Sequence, residues 1–228
     1  MKLYHRLKEA TFLSRPNRFI AVCQVDGDSC VCHVKNTGRC RELLLPGARV
    51  WLERSDSPAR KTLYDLVCVE SRGFVVNMDS QAPNQIFAEW VASGGYLPGL
   101  TDLKAETVYG SSRFDFSYQL GTQRGFTEVK GVTLFDDDHM AYFPDAPTQR
   151  GVKHLQELIA ARRAGYDAGV CFVLQRENVT GFAPNDATDP AFGQALRQAA
   201  AAGVRLTAAV CAVTLEGCAI THTVPIHL

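Results

Sequence analysis

Within the segment SSRFDFSYQLGTQRGFTEVKG, residues 111–131, Glu128 and Lys130 stand on either side of Val129 in an otherwise apolar run. A strand alternates faces with a period of two, so the carboxylate and the ammonium leave on one side and Val129 on the other. Asp115 interrupts the preceding apolar run, FDFSY, in the same way. Two carboxylates on neighbouring strands suit one hard cation, Mg²⁺ or Mn²⁺, which takes one or two carboxylates and completes its shell with water and phosphate oxygens. A lysine on the same face then orients a water or offsets charge on a phosphate under attack. The chemistry expected of Asp115, Glu128 and Lys130 is phosphodiester cleavage. The ordinary alternative is an exposed Glu–Lys pair contributing about 0–1 kcal/mol. The apolar setting of both runs argues against it, because buried charges need partners or a metal.

Other residues point the same way. Glu89, on a helix preceding these strands, is a candidate third acid, and a plain solvated helix residue is the alternative. In YFPDAPTQRGVKHLQEL, Arg150, Lys153 and His154 are three and four apart on a helix, off its apolar stripe and close to its positive N-terminal end. Such a group suits a phosphate backbone, and is equally a solvated basic face. Gln175 and Arg176, ending the run GVCFVLQR, are placed to reach the same cleft.

The elements that must position these residues fall into two parts. From Ala10 to Val76 the runs RFIAVCQV, SCVCHV, ARVWLER and LYDLVCVE alternate with the turn clusters DGDS, NTGR, LPGA and SDSPARK, which predicts a small antiparallel barrel of OB type. After NMDSQAPN the texture changes. NQIFAEWVASGG reads as one helix, followed by the runs AETVYG, SRFDFSYQL and GFTEVKGVTLF. A helix over about 148–164 carries the stripe Val152, Leu155, Leu158 and Ile159, and a buried strand AGVCFVLQ follows it. Asp189 caps a last helix with Pro190 at its first position, and RLTAAVCAVT and AITHTVPIHL close the chain as strands. The expected organisation is an OB-fold domain over 1–80 and a mixed α/β domain over 81–228, joined between Asn77 and Asn84.

Composition bounds the rest. The 228 residues are 46% hydrophobic with no net charge, which is ordinary for a globular protein. Lys and Arg outnumber Asp and Glu 13 to 8 over residues 1–72, and the remainder is 11 to 16. A basic first third suits a polyanion, with Arg18, Arg39 and Arg41 as its expected contacts, and an acidic remainder suits cations. No apolar run approaches the length of a membrane span and the opening MKLYHRLKEA has no signal-peptide core, so a cytoplasmic protein without a membrane partner is expected. The eight cysteines lie largely in apolar runs and read as reduced core residues. Cys30, Cys32, His33 and Cys40 lack the paired knuckles of a structural zinc site.

VYGSSRFDF, EVKGVTLF, FPDAPTQRGVKHLQEL and FVLQR, with NTGR and LPGARVWL in the first third, resemble the sugar fermentation stimulation protein family. The resemblance covers nearly the whole chain. It implies an OB-fold domain followed by a PD-(D/E)xK nuclease-like domain, DNA binding, and a link to the regulation of sugar metabolism, notably of maltose. It makes Asp115 the motif's aspartate, Glu128 and Lys130 its E-x-K, and Glu89 the acid of the first core helix. Phe114 stands where the nominal motif has proline. The expected function is a metal-dependent nuclease-like protein acting on DNA or RNA. The alternative is a DNA-binding regulator with a vestigial site, and a small-molecule phosphoesterase is a third reading that the basic first third disfavours.

Overall fold

The computed structural model describes residues 1–36, 38–56, 59–110 and 112–228. Thr37 of the NTGR turn, Ser57 and Pro58 of the SDSPARK turn, and Ser111 lie outside the described residues.

The first part contains β1 (Leu7–Asn17), β2 (Ile20–Val25), β3 (Asp28–Val34), β4 (Arg49–Arg54), β5 (Tyr64–Ser71) and β6 (Phe74–Asn77). They pair in the order β3-β2-β1-β4-β5-β6, and a parallel pairing of β3 with β5 closes five of them into a barrel. Closure removes the sheet edges that would otherwise need protection. Asp26 and Gly27 both take positive φ, 51° and 93°, as the tight β2–β3 hairpin requires. Phe12, Ala21, Cys23, Cys32 and Leu66 fill the interior. The run-by-run sequence reading misses β1, because Lys8, Glu9, Arg15 and Pro16 obscure the Ala10 and Phe12 alternation that faces the core.

The second part comprises α1 (Ala82–Ala92), β7 (Leu100–Tyr109), β8 (Ser112–Leu120), β9 (Gln123–Val132), β10 (Leu134–Phe135), β11 (Met140–Phe143), α2 (Gln149–Arg163), β12 (Asp167–Leu174), β13 (Gly181–Pro184), α3 (Pro190–Ala201), β14 (Arg205–Val213) and β15 (Cys218–Val224). Its sheet runs β15-β14-β12-β9-β8-β7, with β9, β12 and β14 parallel to one another. Alternate residues of β12 face opposite ways: Val170 and Phe172 pack with Leu155 and Leu158 of α2, while Cys171 and Val173 pack with Ile86 and Phe87 of α1. The strand is buried on both faces and reads as a continuous apolar run for that reason. The small sheet β10-β11-β13 is absent from the sequence reading, its strands being only two and four residues long.

The helix starts are chemically specified. Thr148 Oγ1 accepts from Gly151 N at 3.0 Å to cap α2, and Asp189 accepts from Phe192 N at 3.1 Å to cap α3. The two parts are tied by Asn77 N donating to Gln175 O at 3.0 Å and by Cys40 N donating to Asp145 Oδ2 at 3.2 Å. Among the described residues no helix is long and apolar enough to cross a membrane.

Candidate functional site

Backbone pairing between β8 and β9 ends at Phe116↔Thr127, and Asp115 and Glu128 are the next residues outward on each strand. There Val129 N donates not to a carbonyl but to Asp115 Oδ2, at 2.8 Å. Asp115 Oδ1 accepts from Asn84 Nδ2 of α1 at 3.1 Å. Val129 itself packs beneath α1 with Phe116, so Glu128 and Lys130 leave by the opposite face, toward α2. Lys130 bonds Glu128, and Asp115 lies close enough for the charges of both to act on its carboxyl, at the point where two paired strands part.

Glu128 is 3% exposed. Its Oε1 accepts from Lys130 Nζ at 2.6 Å and, in a very short contact, from His154 Nδ1 of α2. Arg150 Nε donates to His154 Nε2 at 3.4 Å, which makes that nitrogen the acceptor and leaves the ring proton on Nδ1, facing Glu128. Two donors thus crowd one carboxylate oxygen while the other, Oε2, is buried without a partner. An orphaned buried carboxylate oxygen costs about 1–3 kcal/mol or more, so its persistence calls for an explanation.

The electrostatics divide the two acids. Burial, and then the charge of Glu128, push the Asp115 carboxyl above its usual range, against the smaller opposing pull of Val129 N, Asn84 and Lys130. Burial also works to raise Glu128, but the His154 bond and the Lys130 charge outweigh it and hold Glu128 below the usual range. Together the two acids offer oxygen ligands of the kind a hard cation takes. Among the described residues no group of three or more His, Cys, Asp or Glu is disposed to hold a metal, so a cation here would complete its shell from water or substrate.

His154 corrects the sequence reading, which grouped it with Arg150 and Lys153 as a phosphate-binding cluster off the apolar stripe of the helix. It is 4% exposed, because α2 packs against both the sheet and α3 and buries an arc that also takes in Gly151 and Ala161. A polar side chain falls in that arc because β9 supplies its partner. Arg150 is exposed, and Lys153 pairs with Glu157 at 3.8 Å. Glu89 is not brought to the triad. It lies five residues beyond Asn84, about 140° round the helix, and its carboxylate pairs with the amino group of Met1 at 2.7 Å. Asn84 is the α1 residue that meets Asp115, and the sequence pattern gave no signal for it beyond its position on the same helix.

A cleft of about 320 Å³ lies between the two parts of the chain and begins at Gly131, the residue after Lys130. Gly131, Thr148 and Gln175 line it from one side and Arg18, Asn36 and Ser80 from the other. Gly131 must be glycine: a Cβ there would lie 2.7 Å from Pro83 Cγ and 3.1 Å from Gln175 Nε2. Arg176 turns away from the cleft and is held between the rings of Phe74 and Phe135. A second hollow of about 520 Å³ brings Arg18, Arg39 and Arg41 together with Ala146 and Pro147, and Arg18 lines both. Arg15, missed in the sequence, builds its rim by donating to the carbonyls of Arg39, Arg18 and Asn36 at 2.6, 2.7 and 2.8 Å. Among the described residues Arg18, Arg39 and Arg41 have no ion-pair partner, whereas Lys8 and Arg49 on the same barrel pair with Asp26 and with Glu9 and Glu70. Of the cysteine–histidine group, Cys32 and Cys40 are buried and His33 Nδ1 bonds Asp65 Oδ1 at 2.9 Å.

Comparison with known proteins follows the same division of the chain. Residues 13–78 match the SfsA N-terminal OB domain and residues 81–217 match the sugar fermentation stimulation protein RE domain. A sugar fermentation stimulation protein homolog of Desulfitobacterium hafniense strain Y51 is 51% identical over 211 residues, 92% of each chain. One of Clostridium acetobutylicum is 43% identical over 233 residues, 100% of each. A solved structure, "The structure of Pyrococcus Furiosus SfsA in complex with Ca2+", has a TM-score of 0.91 at 27% identity and covers 100% of this chain and 98% of its own. With its OB barrel, its α/β domain and these matches along almost its whole length, the chain belongs to the sugar fermentation stimulation protein family.

Proposed function

We propose that the protein is a divalent-metal-dependent nuclease of the PD-(D/E)xK kind, acting on DNA or RNA held by its barrel. The observation that carries the reading is the unpartnered Oε2 of Glu128, buried beside an Asp115 whose carboxyl is already pushed up by burial and by Glu128. A hard cation would answer both, and the related Pyrococcus furiosus protein is described in complex with one, Ca²⁺. Glu128 Oε2 and Asp115 are the residues to hold Mg²⁺ or Mn²⁺, which would supply Lewis-acid polarisation of a phosphoryl oxygen and ready deprotonation of water.

The chain's own residues do the rest. His154 and Lys130, both on Oε1, fix the rotation of the Glu128 carboxylate so that Oε2 is the oxygen presented. Lys130, its side chain 16% exposed and bonded to Glu128, would oppose charge building on a phosphate brought to that carboxylate. Asn84 and the Val129 N–H hold Asp115 in place. Arg18, Arg39, Arg41 and Arg150 bind phosphates by charge, so binding falls steeply with salt and depends little on sequence. Such a substrate would put the protein in the cytoplasm.

The second reading is a DNA-binding regulator that does not cut, in keeping with the family's name; the direct Lys130–Glu128 pair and the lack of a third ligand side chain among the described residues favour it. Incubation with plasmid DNA and with RNA, with Mg²⁺ or Mn²⁺ and then with chelator, separates the two. Chelator-sensitive cleavage is the expected result, and binding without cleavage supports the regulator.

A further inference from the structure

We infer that the nucleic acid this site takes is single-stranded, and that Phe19 is the platform on which one of its bases stacks. The inference rests on the nuclease reading and deepens it. Glu128 is 3% exposed and the Lys130 side chain 16%, so a phosphate must be carried to them rather than met at the surface. The recess next to them along the chain is the cleft of about 320 Å³ walled by both parts, which begins at Gly131, the residue after Lys130. Space of that size accepts one strand. A paired strand would first have to unstack and turn out a nucleotide, at a cost that an unpaired strand does not carry.

The outer end of the path has the two features by which proteins hold unpaired strands, a basic track and an exposed ring. Arg18, Arg39 and Arg41 line the hollow that leads into the cleft. Phe19 follows Arg18 on the β1–β2 turn and is 51% exposed, whereas Phe12 on β1 is 1% exposed in the barrel interior. The turn is held, not loose: Phe19 N donates to Asn17 Oδ1 at 2.9 Å, Val34 N donates to Phe19 O at 2.8 Å, and Arg15 Nη2 donates to Arg18 O at 2.7 Å. An exposed ring on a fixed backbone, next in the chain to an arginine that lines the basic hollow, offers a π-face to any base and no hydrogen-bond code, so the preference is for strandedness and not for sequence.

The test is fluorescence anisotropy in chelator, with a labelled strand of about 16 nucleotides free of self-complementarity, alone and annealed to its complement. The single strand is expected to bind at least about tenfold tighter than the duplex. Phe19→Ala should weaken the single strand about tenfold while leaving the duplex unchanged, and Phe19→Tyr should restore it. Arg39→Ala with Arg41→Ala should weaken both forms. Duplex binding as tight as single-strand binding, or an unchanged affinity in Phe19→Ala, overturns the inference. If such a protein still cuts with metal, the nuclease reading survives; if neither form binds, both fall.

Discussion

Two buried carboxylates on the same sheet, Asp167 and Glu128, are surrounded by cations and meet opposite ends. Asp167 opens β12, opposite Gly125 of β9, three residues before Glu128. Its Oδ2 accepts from Tyr118 at 2.6 Å and Arg205 Nη1 at 2.8 Å, and its Oδ1 accepts from Arg205 Nη2 at 3.2 Å with Arg162 at 3.6 Å. Gly125 lets Tyr118 lie across the sheet, since a Cβ there would come within 2.8 Å of its hydroxyl oxygen. Both oxygens are filled, and the site is a pin. Glu128 has two donors on one oxygen and none on the other. Burial and charge are common to both, so neither distinguishes a functional carboxylate from a structural one. The two differ in the oxygen of Glu128 that has no partner.

The sharpest way to break this comparison is to neutralise each acid in turn. Asp167→Asn is expected to cost about 3 kcal/mol in denaturant unfolding, the low end of the range for a broken buried pair because Arg205 and Arg162 partly reach solvent. Glu128→Gln leaves Lys130 without its counter-charge and sets an unpartnered amide N–H₂ where Oε2 stood, so it is expected to cost about 3 kcal/mol as well. Metal then tells the two apart: added Mn²⁺ should stabilise Asp167→Asn as it does the wild type and leave Glu128→Gln unmoved, and equal stabilisation of both would dissolve the distinction.

Acid should separate the same two regions. Burial works to raise the Asp167 carboxyl, but Arg205, Tyr118 and Arg162 outweigh it and hold it below the ordinary carboxylate range. Its stabilisation is therefore complete above the unfolded-state pKa of about 3.9 and is lost as pH falls through the lower folded value. Asp115 is raised, so its linkage has the opposite sign: stability is greatest with the proton bound and falls as pH rises through its folded pKa. Unfolding measured across the acid range should lose a component in Asp167→Asn, and Asp115→Asn should be neutral or stabilising near pH 7 without metal. A clear loss of stability in Asp115→Asn at that pH contradicts the assignment. The smallest effect is expected from Asn84→Ala, about 1 kcal/mol, through its single hydrogen bond to Asp115.

How far the sequence carried depends on whether a signal is local. The Asp189 cap, the Asp26-Gly27 hairpin and the twice-buried β12 are written in adjacent residues, and all appear as expected. The triad was legible because a period of two places Glu128 and Lys130 together without knowledge of the neighbours. His154 was misplaced because its burial depends on Glu128, 26 residues away, and on the packing of α3. Glu89 and Asn84 differ only in angle about α1, and nothing in that helix alone says which arc meets β8. Arg15 was invisible because it acts on carbonyls, which no residue type announces.

Calorimetric titration of Mn²⁺ into wild type, Glu128→Gln, Lys130→Ala and Asp167→Asn, under conditions where each is folded, tests the central claim most directly. The unfilled oxygen of Glu128 predicts at least a tenfold loss of affinity in Glu128→Gln, because a neutral amide is a poor substitute for an anionic ligand. It predicts unchanged or tighter binding in Lys130→Ala, where a repelling charge has gone, and unchanged binding in Asp167→Asn. Equal affinities in all four proteins, or a loss in Asp167→Asn as large as that in Glu128→Gln, would contradict it.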